Sequence, residues 1–308
     1  MPRDALEELA ERCVPGEGPV DIHPLASGLV NASYRVLRAG RIYSMRVAAV
    51  NSQDLGLDRQ WECQVLKEAA SAGLAPVIEY CDPVQGVVVS GWVNGRTWTR
   101  DDILQADTID AVAQLLRRIH TLTPPRPARV MNPAAWITYY AGTLARRGLG
   151  TSPRLASLQG ALNAYLELLA AVQLPTPVLC HGDLHRLNVV VGERTVLLDW
   201  EYAHISDPFW DLAGWIANND WTEDAAGRLA ASYLRRAADS AERTRLEALV
   251  WLYDHVCLMW SELYLNQRSG PESHEVSARA DRLVTRLKAR PVVAPVKFRH
   301  TSGFTDYP

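Results

Sequence analysis

Val178-Leu179-Cys180-His181-Gly182-Asp183-Leu184-His185-Arg186-Leu187-Asn188, continued by Val196-Leu197-Leu198-Asp199-Trp200-Glu201-Tyr202, is the stretch that decides how this chain is read. Leu187 to Val191 and Thr195 to Asp199 are short apolar runs around Gly192, the pattern of a tight hairpin that sets Asn188 beside Asp199. Asp183 stands in the loop ahead of it, where a carboxylate can reach a hydroxyl and take its proton. Asn188 and Asp199 offer an amide and a carboxylate oxygen, the donors that a hard divalent cation such as magnesium prefers. The order His181-x-Asp183-x-x-x-x-Asn188, with Asp199 eleven residues later, is the spacing of a phosphoryl-transfer catalytic loop and its metal-binding Asp.

Outward from this segment the pattern divides. Ahead of residue 95 it is rich in strands. Ser33 to Arg38 and Arg41 to Ala48 flank Ala39-Gly40 as a predicted hairpin. Leu57 to Ala72 has helical spacing closed by Gly73, and Val77 to Tyr80 and Val87 to Trp92 read as further strands. Beyond Asn94-Gly95, helical periodicity dominates residues 107–121, 134–147, 154–172, 207–218, 223–237, 241–266 and 273–289. The expected organisation is a nucleotide-binding lobe over 1–94, a helical catalytic and acceptor-binding lobe over 95–290, and an irregular tail over 291–308.

The 308 residues allow one large domain or two unequal lobes. The 32 basic residues include only three lysines, Lys67, Lys288 and Lys297, and the net charge is −3. No basic excess speaks for a nucleic-acid partner. No apolar run is long enough for a membrane span, and no signal-peptide pattern opens the chain. Cysteines 13, 63, 81, 180 and 257 are odd in number, widely spaced and without a C-x-x-C pair, which argues against a disulfide framework or zinc knuckle. A cytoplasmic, reducing location is expected.

The pieces His181-Gly182-Asp183-Leu184-His185, Asn188, Asp199-Trp200-Glu201-Tyr202-Ala203 and Asp207-Pro208-Phe209-Trp210-Asp211-Leu212-Ala213 resemble the aminoglycoside phosphotransferase and choline kinase family, most closely its bacterial thiamine-kinase and choline-kinase branch. The resemblance covers most of the chain. It implies an α+β, protein-kinase-like bilobal fold, with a small sheet-rich lobe over a larger helical one, and ATP and Mg2+ as cofactors. By the same resemblance Asp183 is the catalytic base, Asn188 and Asp199 are magnesium ligands, and Glu201 helps at the metal or the acceptor. His181 and Asp211 support the loop. Arg46 takes the place of the family's phosphate-contacting cation, with Glu62 as its ion-pair partner. Gly28, Asn31 and Ser33, in the loop Ser27 to Ser33, resemble the nucleotide-covering loop, and Gly91 and Val93 fall in the stretch expected to hold the adenine edge.

Six of the ten tryptophans lie at or after residue 200, which suggests an aromatic acceptor pocket suited to a delocalised cation. Tyr253, Trp260 and Tyr264 share a helix face, with Trp260 and His185 as candidate acceptor contacts, although aromatic residues at helical spacing more often pack a core. The acceptor expected is a small cationic alcohol, thiamine slightly ahead of choline, with ethanolamine, a sugar or an aminoglycoside as alternatives. A non-catalytic kinase fold would normally lose a base or metal ligand, and none is lost. His181-x-Asp183-x-His185 also has the composition of a zinc site, but histidines 23, 120, 204, 255, 274 and 300 form no second ligand pair.

Overall fold

The computed structural model describes residues 2–25, 28–48, 53–172, 175–267 and 271–290. The expected tail over 291–308, and Ser27 of the nucleotide-covering loop, lie outside the described residues. The chain opens with helix α1 (Arg3–Cys13) and strands β1 (Asp21–Pro24), β2 (Asn31–Arg38) and β3 (Arg41–Ala48). Helix α2 (Arg59–Ser71) and strands β4 (Ile78–Asp82), β5 (Val87–Gly91) and β6 (Arg96–Thr97) follow. Helices α3 (Ala106–Ile119), α4 (Pro133–Arg146), α5 (Pro153–Ala156) and α6 (Gln159–Ala170) precede strands β7 (Val178–Cys180), β8 (Val189–Val191), β9 (Thr195–Leu197) and β10 (His204–Ser206). Helices α7 (Phe209–Asn218), α8 (Glu223–Leu234), α9 (Ser240–Gln267) and α10 (Pro271–Ala289) complete an α+β fold, sheet-rich first and mostly helical afterwards.

β1 to β5 form one antiparallel sheet in the order β1-β2-β3-β5-β4. Its hairpin turns at Ala39-Gly40, both with positive φ, the conformation that matches the twist of paired strands. Alternation along β3 sets its function. Tyr43, Met45 and Val47 are buried with Leu9, Ala10 and Cys13 of α1, while Ser44 and Arg46 turn to the opposite face, which lines the central cavity. Arg38 fastens α1 to the sheet by donating to the carbonyls of Glu11, Val14 and Gly18. Helix α2 begins at Asp58, whose side chain accepts from the Trp61 amide, and the Trp61 indole donates to the carbonyl of Ala203 at 2.7 Å. That buried bond ties α2 to the segment carrying Asp199 and Glu201.

Helical spacing over 154–172 is divided into α5 and α6, since the chain turns after Ala156 and the Ser157 hydroxyl bonds back to the Arg154 carbonyl. β1, β6, β7 and β10, two to four residues each, are too short to leave a periodic signal. The cysteine expectation is corrected. α2 packs on β4 and joins Cys63 to Cys81 in a disulfide with Cα atoms 5.8 Å apart, a pairing that depends on a helix folding back on a strand and not on a spacing motif. No helix of the described residues is long and apolar enough to cross a membrane.

Two buried histidines give the fold an acid limit. His204 donates from Nδ1 to the Tyr202 carbonyl (2.7 Å) and accepts at Nε2 from the Trp136 indole (3.4 Å), and burial lowers its pKa to about 4. Burial likewise holds His255 to about 4. Between the unfolded value of about 6.5 and pH 4 the unfolded chain takes up protons that the folded chain refuses, so stability is full above 6.5 and declines as pH falls. Melting temperature should therefore drop between pH 6.5 and 4.5, and drop less steeply in a His204→Gln/His255→Gln variant. Parallel melting curves of the two proteins across that window would contradict the assignment.

Candidate active site

β7 ends at Cys180, and the chain turns through residues 181–185 into a 3-10 turn over Arg186–Asn188 before β8. Gly182 makes the turn possible, because its φ is +83° and a Cβ there would lie 2.3 Å from the Tyr202 carbonyl oxygen. Asp211, buried in the first turn of α7, accepts from the amides of His181 (2.8 Å) and Gly182 (2.9 Å) and from His120 Nε2 (3.2 Å). Burial alone would raise its pKa, but these donors hold the carboxyl below its ordinary value. His181 is buried against Trp200 and bonds through Nε2 to the Leu198 carbonyl, with its pKa lowered by burial. Its role in the geometry is to join the loop to the end of β9.

Asp183 faces the cavity. Its Oδ1 lies 3.3 Å from the Tyr253 hydroxyl and 3.5 Å from Asn218 Nδ2, and Asn218 Nδ2 also donates to that hydroxyl at 2.9 Å. Tyr253 approaches so closely because residue 214 is glycine, where a Cβ would come within 2.9 Å of the tyrosine ring. His185 Nε2 stands 4.0 Å from Asp183 Oδ2, while its Nδ1 accepts from the Leu187 amide.

β8 and β9 pair with Val189 opposite Leu197, and the Leu198 amide donates to the Asn188 carbonyl at 2.8 Å. Asn188 and Asp199 thus leave the hairpin at the same end, on the wall of one cavity. Asn188 Nδ2 donates to the Asp183 carbonyl (3.0 Å), which leaves its Oδ1 for a ligand. Asp199 takes φ +63°, an uncommon backbone conformation outside glycine that Asp tolerates better than most residues.

A charged cluster closes the other side. Arg46 NH1 contacts Asp199 Oδ1 at 2.8 Å and Glu201 Oε2 at 3.4 Å, and its NH2 pairs with Glu62. Arg59 NH1 bonds Glu62 and Glu201, each at 2.7 Å, and its NH2 donates to Asn31 Oδ1. Burial opposes ionisation of Glu62, but Arg46 and Arg59 prevail and its pKa is lowered. Glu201 is raised to about 7 by burial and by the neighbouring Asp199, while burial also raises Asp199 against the pull of Arg46.

Several expectations change here. The Asn31 side chain is tied to Glu201 and Arg59 instead of standing free for phosphates. Glu201 is likewise committed to the guanidiniums and Asn31, not to an acceptor. Gly91 and Val93 do not line the cavity. The Gly91 amide is bonded to the Val77 carbonyl, and Ser90, one position earlier, faces inward with Pro76 and Ile78. Gly28 and Ser33 do line it, with Ser33 directly opposite Arg46 across the β2–β3 pair. Trp260 lines the far end, where its indole donates to the Tyr202 hydroxyl at 2.6 Å and its ring stacks on Tyr264. Sequence reasoning missed Arg59, Asn218 and Arg279. Arg59 alone left a faint signal, an arginine one helical turn before Glu62 at a helix start that disfavours positive charge.

The cavity measures about 440 Å³. One end is a slot of Val30, Leu66, Pro76, Ile78, Val88 and Leu197, and the other is walled by Trp136, Tyr140, Tyr202, Trp210, Tyr253 and Trp260, with Asp183 and Asp199 between. The donor set suits magnesium. Asn188 and Asp199 present hard oxygens on the wall of the cavity that Asp183 also faces, the donor type that a divalent cation prefers.

The sequence pattern of the phosphotransferase enzyme family, APH, matches residues 21–249, which span both the five-stranded sheet and the segment carrying Asp183, Asn188 and Asp199. The chain belongs to that family. A probable choline kinase of Arabidopsis thaliana is 30% identical over 128 residues, 40% of this chain and 36% of that protein, so the match spans about a third of the relative's length. Among solved structures, the family member resembles a choline/ethanolamine kinase family protein from Mesorhizobium loti, with TM-score 0.74, 24% identity and 93% of each chain covered. It also resembles the choline kinase LicA from Streptococcus pneumoniae, with TM-score 0.74, 19% identity, and 93% of this chain and 99% of that one covered. LicA is known in complex with AMP. At these identities the structural likeness establishes the kinase-like fold.

Proposed function

We propose that this phosphotransferase is an ATP- and Mg2+-dependent kinase that phosphorylates the hydroxyl of a small alcohol. The observation that carries the reading is one cavity in which Asp183, Asn188 and Asp199 meet between an apolar slot and an aromatic chamber. The apolar lining of the slot suits the faces of a nucleotide base. Asn188 and Asp199 would hold magnesium, which when bound screens the charge of the phosphate oxygens. Arg46 and Ser33 supply donors at the phosphate end, with Arg59 holding Glu62 and Glu201 behind them. Asp183, held in orientation by Tyr253 and Asn218, binds the acceptor hydroxyl and removes its proton as the oxygen bonds to the γ-phosphorus and the bond from that phosphorus to the bridging oxygen breaks, ADP leaving. Aromatic walls exclude water, so that transfer to the acceptor outruns hydrolysis.

A cationic acceptor is the second reading. The tryptophan and tyrosine faces favour it, and so do the names of the relatives, which point to choline or ethanolamine. Thiamine, preferred on sequence grounds, draws support from the same aromatic walls and from nothing more specific. ADP release from ATP and magnesium, measured against thiamine, choline, ethanolamine, an amino sugar and an aminoglycoside with a no-acceptor control, tests the acceptor class. An acceptor-dependent rate well above the control is expected for one class of alcohol. Failure of the protein to bind ATP in the presence of magnesium would overturn the kinase reading.

A further inference from the structure

Arg279 of α10 lines the aromatic chamber, on the same cavity wall system as Asp183. It is only partly exposed, and among the described residues it makes no hydrogen bond or ion pair. The acidic groups near it do not neutralise it directly. Asp254 is already paired with Arg286 and Arg290, and Asp183 lies beyond ion-pair distance and is engaged by Tyr253 and Asn218. Burial pushes the Cys257 thiol up to about 12 and raises the Tyr253 phenol well above its ordinary value, so both are neutral near pH 7. The through-space pull of Asp183 and Asp254 keeps the guanidinium charged, but its N–H donors have no acceptor among the described residues, a place that a ligand oxygen can fill.

Asp183 and Arg279 therefore face one chamber without touching, a carboxylate on one side and a bidentate donor on the other. We propose that the acceptor is an alcohol that also carries a carboxylate, its hydroxyl bound by Asp183 and its carboxylate held by Arg279. The inference rests on the reading of this chamber as the acceptor site of a kinase. It departs from the purely cationic second reading, because a quaternary ammonium alone would leave Arg279 unpaired and add a second positive charge beside it. An ammonium elsewhere on the same molecule remains compatible, since the aromatic faces can hold it. Arginine is suited to the task, as its planar fork matches carboxylate geometry where a lysine offers a single point of charge.

Matched alcohols that differ only by the carboxylate provide the test: serine against ethanolamine, homoserine against 3-amino-1-propanol, and carnitine against β-methylcholine. ADP release by the full chain is measured for each, with Mg·ATP binding measured separately. In at least one pair the carboxylate member should have the higher kcat/KM, by about 10- to 100-fold, the scale of one charge-assisted bidentate contact. Arg279→Gln should remove that advantage mainly through KM, and Arg279→Lys should restore part of it. Equal or better turnover of the decarboxylated partners would overturn the inference, as would an advantage unchanged in Arg279→Gln. A protein that binds Mg·ATP yet uses none of the carboxylate alcohols would also overturn it, leaving the kinase reading in place. Absence of Mg·ATP binding would instead remove the kinase reading, and this inference with it.

Discussion

Asp183→Asn should lower kcat by about 10²- to 10⁴-fold, the contribution of a positioned general base, while Mg·ATP affinity changes by less than about threefold. The asparagine is nearly isosteric and keeps an oxygen where Oδ1 accepts from Tyr253 and Asn218, so the loop held by Asp211 should stay in place. What is lost is the anionic oxygen that takes the acceptor's proton. Steady-state kinetics at saturating ATP, with a melting curve to show that the variant folds, check this result. Turnover within tenfold of the unaltered protein would remove Asp183 from the role of base.

Asp199→Asn should act on a different quantity. It removes the carboxylate of the pair that would hold magnesium, so magnesium affinity in the presence of nucleotide should fall by at least about 100-fold, more than removal of an outer partner of a metal ligand commonly costs. The 2.8 Å contact of Arg46 with residue 199 loses its ionic part, while Arg46 keeps Glu62 and Arg59 still holds Glu62 and Glu201, so the charged cluster survives. Titration of nucleotide binding against magnesium separates the two variants. Asp183→Asn should keep the magnesium dependence and Asp199→Asn should lose it. An unchanged magnesium dependence in Asp199→Asn would place the ion elsewhere.

The parts of this site that were legible in the sequence share one property: they lie within a single short segment. Asp183, Asn188 and Asp199 are related by a loop and a hairpin, so spacing fixes their neighbourhood. The β2–β3 hairpin was legible for the same reason, and its alternation sends Arg46 to the cavity face. Arg59 was not, because a helix-start arginine gains meaning only when Glu201, 142 residues away, is folded against it. Tyr253 was legible as part of an aromatic stripe, but its contact with Asp183 depends on the helix crossing that Gly214 permits. Arg279 carries no local signal, since nothing in α10 says which of its arginines meets the chamber. Gly91 and Val93 are out of step with the cavity because alternation along β5 turns Val88 and Ser90 toward it and Val87 and Val89 toward α1. The Cys63–Cys81 disulfide likewise belongs to packing of α2 on β4.

Electrostatics explain why an arginine serves at position 46. Arg46 is shared among Glu62, Asp199 and Glu201, and Arg59 takes over two of those carboxylates. Delocalised guanidiniums can serve several oxygens at once, which a compact ammonium does less well.

Transfer of phosphate to an alcohol is followed through the fate of the terminal phosphate of ATP. ATP labelled in its γ-phosphate is incubated with magnesium, the protein and each acceptor, and the products are separated. Label is expected in a phosphate ester of one acceptor class, at a yield matching ADP formed, and none in that ester with Asp183→Asn over the same time. Label recovered only as inorganic phosphate, at a rate indifferent to every acceptor, would contradict it.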